Sequence, residues 1–159
     1  MEIESALRIT LDPQTTRELR EQASGYCETF QASPDAWKFC LATYTNTSQE
    51  EFKFFCHKVV LDFISTSNSA TAYYTLSIAE KMHLKSVVWS WLTSHIAPNT
   101  MHLSYHSLSN LLLLIVRIYR LESTISGNDG WPGFFPELVA LIRVANDAKS
   151  NNNDIKGYI

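Results

Sequence analysis

His102 and His106 stand four residues apart, with His83 and His95 upstream. Such spacing can set two imidazoles on one helix face around a zinc ion. No cysteine or carboxylate completes a ligand set beside them, and no His-Glu-x-x-His occurs, so they do not support a metal site. Cys27, Cys40 and Cys56 are odd in number and fit neither a metal spacing nor a redox motif. Each sits among apolar neighbours at helical spacing, which predicts buried free thiols in a reducing compartment. The chain has no Gly-x-Ser-x-Gly elbow, no phosphate-cradling glycine loop and no Rossmann fingerprint. No catalytic residue, metal or cofactor is expected, and the chain reads as a non-enzyme.

Charge is the remaining chemistry. The net charge is −3. Residues 1–47 hold four basic against seven acidic side chains, while the remaining residues balance. An acidic N-terminal third suits a basic protein partner. It does not suit a chain that grips nucleic acid by itself. Lys53, Lys58, Lys81, Lys85, Arg117 and Arg120 are interspersed with acids or apolar residues, and no RNA-binding residue is assigned.

The elements that must carry these surfaces read as helices. A chain of 159 residues, 45% apolar, fits one folded domain, and 5 Gly with 5 Pro are too few for an all-β chain. The longest aliphatic run, Leu111 to Val116, is far short of the ~18 residues that span a bilayer. Met1 to Leu11 carries Glu2 and Glu4 and no signal-peptide pattern, so no membrane insertion is expected.

Asp12-Pro13 is a helix start. The helix runs to about Ala32 with Leu19, Ala23, Tyr26, Cys27 and Phe30 inward. Ser33-Pro34-Asp35 starts a second, burying Trp37, Cys40, Leu41 and Tyr44. A capping box at Ser48 to Glu51 opens a third, carrying Phe52, Phe55, Cys56, Val59, Val60 and Phe63. After a polar loop over 66–75, a fourth runs from Ser77 to about Ala97 on Ile78, Met82, Trp89, Leu92 and Ile96. A fifth spans about 102–122, apolar nearly all round and hence central. In Trp131-Pro132-Gly133-Phe134-Phe135-Pro136 two prolines cannot both lie inside one regular helix. The expectation is a tight aromatic turn, with Pro136 opening a sixth helix that ends near Asp147.

Six helices read as three antiparallel pairs, at about 13–46, 48–97 and 103–147. Units of 35–50 residues fit an all-α, HEAT-repeat solenoid, in which each thin pair is stabilised by its neighbours. The pattern alone leaves a globular bundle open. Residues 1–12 are expected as an extension, and 148–159 as an exposed loop plus the start of a truncated fourth repeat.

Ser33-Pro34-Asp35-Ala36-Trp37, followed by Phe52 through Leu61, resembles the amino-terminal region of the exportin-T family of tRNA export receptors. The Trp131 to Leu138 stretch resembles a motif common to the importin-β (karyopherin) superfamily. The resemblance covers most of 13–159. It implies a piece of a much longer HEAT-repeat receptor that shuttles between nucleus and cytoplasm, with nucleoporins and, in the intact receptor, tRNA as partners. It also implies binding of Ran-GTP by the second helix of each early repeat. With the pairs above, those helices present Asp35, Lys38, Phe39 and Asn46, then Glu80, His83, Val87 and Trp91, then Glu137, Arg143 and Asp147. Apolar Phe39, Val87 and Trp91 among charges would make a protein interface. Two alternatives stay open: another superfamily receptor carrying protein cargo, and a helical scaffold with no GTPase partner.

Overall fold

The structure, a computed structural model, describes residues 2–65, 70–96, 103–126 and 130–155, with backbone alone at 70–72, 125–126 and 145–155. Among the described residues every regular element is helical. In order they are α1 (Ile3–Leu11), α2 (Arg17–Gln31), α3 (Ala36–Thr43) with a 3-10 turn (Tyr44–Asn46), α4 (Glu50–Ser65), α5 (Ala70–Thr75), α6 (Ile78–Ile96), α7 (Tyr105–Ser126) and α8 (Phe134–Ile155). The all-α class is as expected. The chain divides into two compact units, Met1–Lys81 and Met82–Ile159.

In the first unit, the expected extension is a helix. Ile3, Ala6 and Thr10 recur at helical spacing, and α1 buries Ile3 and Ala6. Its N-cap, Glu2, makes no side-chain cap bond, so the sequence carried no start signal. Packing against α2 supplies what a nine-residue helix lacks alone. Helix α2 begins four residues beyond Pro13. Thr16 caps it by accepting from the Leu19 N–H, whereas the Asp12 carboxylate accepts from the Gln14 N–H at 2.9 Å and makes a local turn instead. Ala23 and Cys27 form the buried stripe, and the expected core residues Leu19 and Tyr26 are exposed.

Helices α3 and α4 form an antiparallel hairpin. Trp37, at the start of α3, stacks on Phe63, near the end of α4, with centroids 4.7 Å apart. Tyr44, just past α3, lies against His57 in mid-α4, its hydroxyl 3.0 Å from Nε2. The pairing is therefore α1 with α2 and α3 with α4, not α2 with α3 as the unit 13–46 required. Missing α1 shifted the pairing by one helix. Residues 70–75, expected as loop, form α5. Its Tyr73 is buried beneath the Lys81 ammonium, 5.5 Å from the ring centroid.

The second unit is built on Leu84, Val88, Trp91 and Leu92 of α6, Leu111, Leu114, Ile115 and Ile118 of α7, and Phe134 of α8. Helices α6 and α7 run antiparallel, since Lys85 near the start of one meets Glu122 near the end of the other at 2.6 Å. Lys85 also donates to the Gly130 carbonyl at 3.1 Å and faces the Trp131 ring at 5.9 Å. The expected α6 stripe had the wrong phase. Ile78 and Met82 are exposed, at 78% and 61%, and Trp89 is half-buried against Trp131 and Phe134. Apolar residues occur all round this helix, so periodicity could not select a face. Helix α7 is less enclosed than expected, because Leu112, Leu113 and Val116 are exposed.

The aromatic turn is present, but α8 starts at Phe134 rather than Pro136. Gly133, at φ 82°, precedes it in a conformation that favours glycine. Its carbonyl accepts the Glu137 N–H at 2.9 Å. Pro136 therefore falls among the first N–H groups, which have no intrahelical partner in any helix. Tyr119 stacks on Phe134 at 4.6 Å and fixes the corner. Helix α8 runs on to Ile155, past Asp147 and through the asparagine-rich stretch expected as loop. No proline or glycine interrupts residues 137–155, and asparagine is only a mildly poor helix former.

Candidate protein-binding surface

Three predicted residues of the first unit come together. The Lys38 ammonium lies 3.4 Å from Asp35 Oδ1 and 3.6 Å from Glu80 Oε1. Glu80 is fixed by a reciprocal cap at the start of α6. Its Oε2 accepts from the Ser77 N–H at 3.0 Å and hydroxyl at 2.8 Å, and its own N–H donates to Ser77 Oγ at 3.2 Å. Those Ser77 bonds, then Lys38, hold the Glu80 carboxyl below its ordinary value. Phe39 is 42% exposed, edge-on to Phe30 at 5.3 Å. Asn46 is exposed, its side chain donating to the Ala42 carbonyl at 3.4 Å.

In the second unit His83 is exposed and Val87 half-buried. Trp91 is 0% exposed, which removes it as a contact residue. It belongs to the inward stripe with Leu84, Val88 and Leu92, rotated by about one residue, roughly 100°, from the expected one. Glu137 and Arg143 are exposed on α8, and the side chain of Asp147 lies outside the described residues.

The observed pairing changes which helix of a hairpin carries each of these residues. Asp35, Lys38 and Phe39 belong to the first helix of the α3/α4 hairpin, and Glu80 and His83 to the first helix of α6/α7. The second helices are α2, α4 and α7. On α4, Phe54, Lys58 and Asp62 are exposed at four-residue spacing, opposite the buried Phe52, Phe55, Cys56, Val59 and Val60. Sequence reasoning took Phe54 as part of a motif and not as surface. The signal was its place outside the inward stripe of the same helix.

Of the six basic residues considered for nucleic acid, three are engaged within the fold. Lys53 is buried with its ammonium 5.4 Å from the Tyr44 ring centroid. Lys81 covers Tyr73, and Lys85 is paired with Glu122. Lys58, Arg117 and Arg120 are exposed. The thiols are all buried and free, as expected. Cys56 is pushed up by hydrogen bonding to Cys40 and then by burial, and Cys27 by burial, partly opposed by a hydrogen bond with Thr10. Thiols so raised are poor nucleophiles. His95 is buried, while His83 and His106 are exposed on separate helices; His102 lies outside the described residues. Among the described residues no three His, Cys, Asp or Glu side chains gather as metal ligands, and no helix is long and apolar enough to cross a membrane.

No protein-family model and no solved structure matches the chain. Curated proteins do. The chain is 24% identical to exportin-T of Dictyostelium discoideum over 148 residues, covering 92% of the chain and 12% of that protein. It is 26% identical to exportin-T of Mus musculus over 137 residues, covering 83% and 13%. With exportin-T of Podospora anserina it shares 23% over 151 residues, covering 91% and 14%. The chain thus spans 12–14% of the length of these relatives.

Proposed function

We propose that this relative of the exportin-T proteins is part of a nuclear export receptor that binds Ran in its GTP form and shuttles between nucleus and cytoplasm. The observation that carries the reading is kinship over nearly the whole chain, joined to helical hairpins of the kind that HEAT repeats stack. In this reading α1/α2, α3/α4 and α6/α7 are three repeats, and α8 follows as the first helix of another. The GTPase meets the exposed faces of second helices. On α4, Phe54 is the apolar anchor, flanked by Lys58 and Asp62, an apolar centre in a charged rim. The Asp35, Lys38 and Glu80 cluster lies on leading helices and acts as a flank that steers association; in the second unit, taken by itself, His83, Val87, Glu137, Arg143 and Asp147 are proposed as further contact residues. In the intact receptor, tRNA would be held by its shape and phosphates over a longer surface to which this part contributes.

Two pairs of variants test the assignment. Phe54→Ala with Lys58→Glu should weaken binding of Ran-GTP at least tenfold. Asp35→Lys with Glu80→Lys should change affinity less than threefold at physiological salt and mainly reduce its salt dependence. The reverse ranking would return the contact to the leading helices.

A further inference from the structure

The first unit contains a groove of about 430 Å³ lined by residues of α1, α2, α3 and the start of α4. Its apolar wall is aromatic: Tyr26 and Phe39 are exposed, with Phe30 between them in the lining. Glu2 and Glu4 are the acidic residues of its lining. Glu4 is held in place at the groove because its Oε1 accepts a hydrogen bond from the Thr47 hydroxyl at 2.8 Å. The volume lies within the range of sites that enclose a small ligand.

We infer that this groove takes the arginine side chain of an extended segment of a protein partner. Rings beside carboxylates suit a planar guanidinium, which can stack on the aromatic faces while its N–H fork donates to the carboxylates. Charge complementarity supports a basic occupant: residues 1–81 carry seven basic against eleven acidic side chains. A compact ammonium would satisfy the carboxylates but stack less well. A purely apolar segment would cover the Glu2 and Glu4 carboxylates without offering them a cationic partner, a desolvation cost without return. The groove is separate from the α4 face assigned to the GTPase, so the two stand or fall independently.

The test uses three blocked dipeptides as probes: acetyl-Leu-Arg-amide, its citrulline analogue, which keeps the shape without the charge, and its norleucine analogue. Titration followed by NMR should shift the ring signals of Tyr26 and Phe39 saturably with the arginine probe. Affinity should be about tenfold lower for citrulline and for norleucine, as removal of a charge-assisted contact predicts. Glu2→Gln with Glu4→Gln keeps an acceptor for Thr47 and should abolish the preference for arginine. Phe39→Ala should weaken the arginine and citrulline probes, whose planar groups stack on the ring, more than the norleucine probe, with the melting temperature of each variant establishing that it folds. Equal binding of arginine and citrulline, shifts elsewhere than in the groove, or no saturable shift at millimolar concentration would overturn the inference.

Discussion

At the scale of single residues, the contacts that matter most are between rings and between a cap and its helix. Trp37 is buried and stacked on Phe63, so Trp37→Ala removes both burial and a ring partner. The expected cost is about 3–5 kcal/mol, a large fraction of a small unit's stability. Thermal or urea unfolding should show it, and an unchanged midpoint would contradict the assignment. Glu80 gives a pH-dependent prediction. Its carboxyl is held below the ordinary value of 4.5 by Ser77 first and Lys38 last. The folded form therefore favours the ionised state, and the stabilisation is present above pH 4.5 and lost as pH falls through the depressed value. An NMR titration of the Glu80 side chain should place its midpoint below 4.5. Ser77→Ala should bring it back towards that value, and Lys38→Ala should move it less. A midpoint unaffected by Ser77→Ala would mean that the reciprocal cap does not hold the carboxylate in solution.

At the scale of elements, legibility followed punctuation. Ser33 to Trp37, the α4 stripe and the aromatic turn before α8 carried strong start signals, and each predicted helix is present. Helix α1 was missed because its stability comes from packing on α2 rather than from a cap. That omission moved every later pair by one helix. Trp91 is buried where exposure was expected, and Trp89 only half-buried, for a different reason, since a helix apolar on all sides gives no phase from sequence. The α7–α8 corner supplies the test at this scale. A Cβ at Gly130 would overlap the Glu122 carbonyl, while the Gly130 carbonyl accepts from Lys85. Gly130→Ala should destabilise the second unit by about 1–3 kcal/mol, with increased amide exchange at the start of α8. Wild-type exchange there would show that the corner relaxes freely.

At the scale of the whole molecule, charge and kinship give different weights to the two proposed partners. The net charge is −3, and Lys53, Lys81 and Lys85 are engaged internally. Isolated tRNA should therefore bind this chain weakly, with an affinity that falls steeply as salt rises. Filter binding across a salt series measures this, and tight salt-resistant binding would move the tRNA site into these helices. The proposed GTPase contact should stand without RNA, at modest affinity, because the chain matches only 12% of the Dictyostelium relative and on the proposed reading carries only part of the contact surface. Calorimetry with Ran loaded with a non-hydrolysable GTP analogue or with GDP tests this most directly. The account predicts micromolar binding of the GTP form and at least tenfold weaker binding of the GDP form. Equal affinity for both, or no heat at high micromolar concentration, would contradict it and leave a helical scaffold without a GTPase partner.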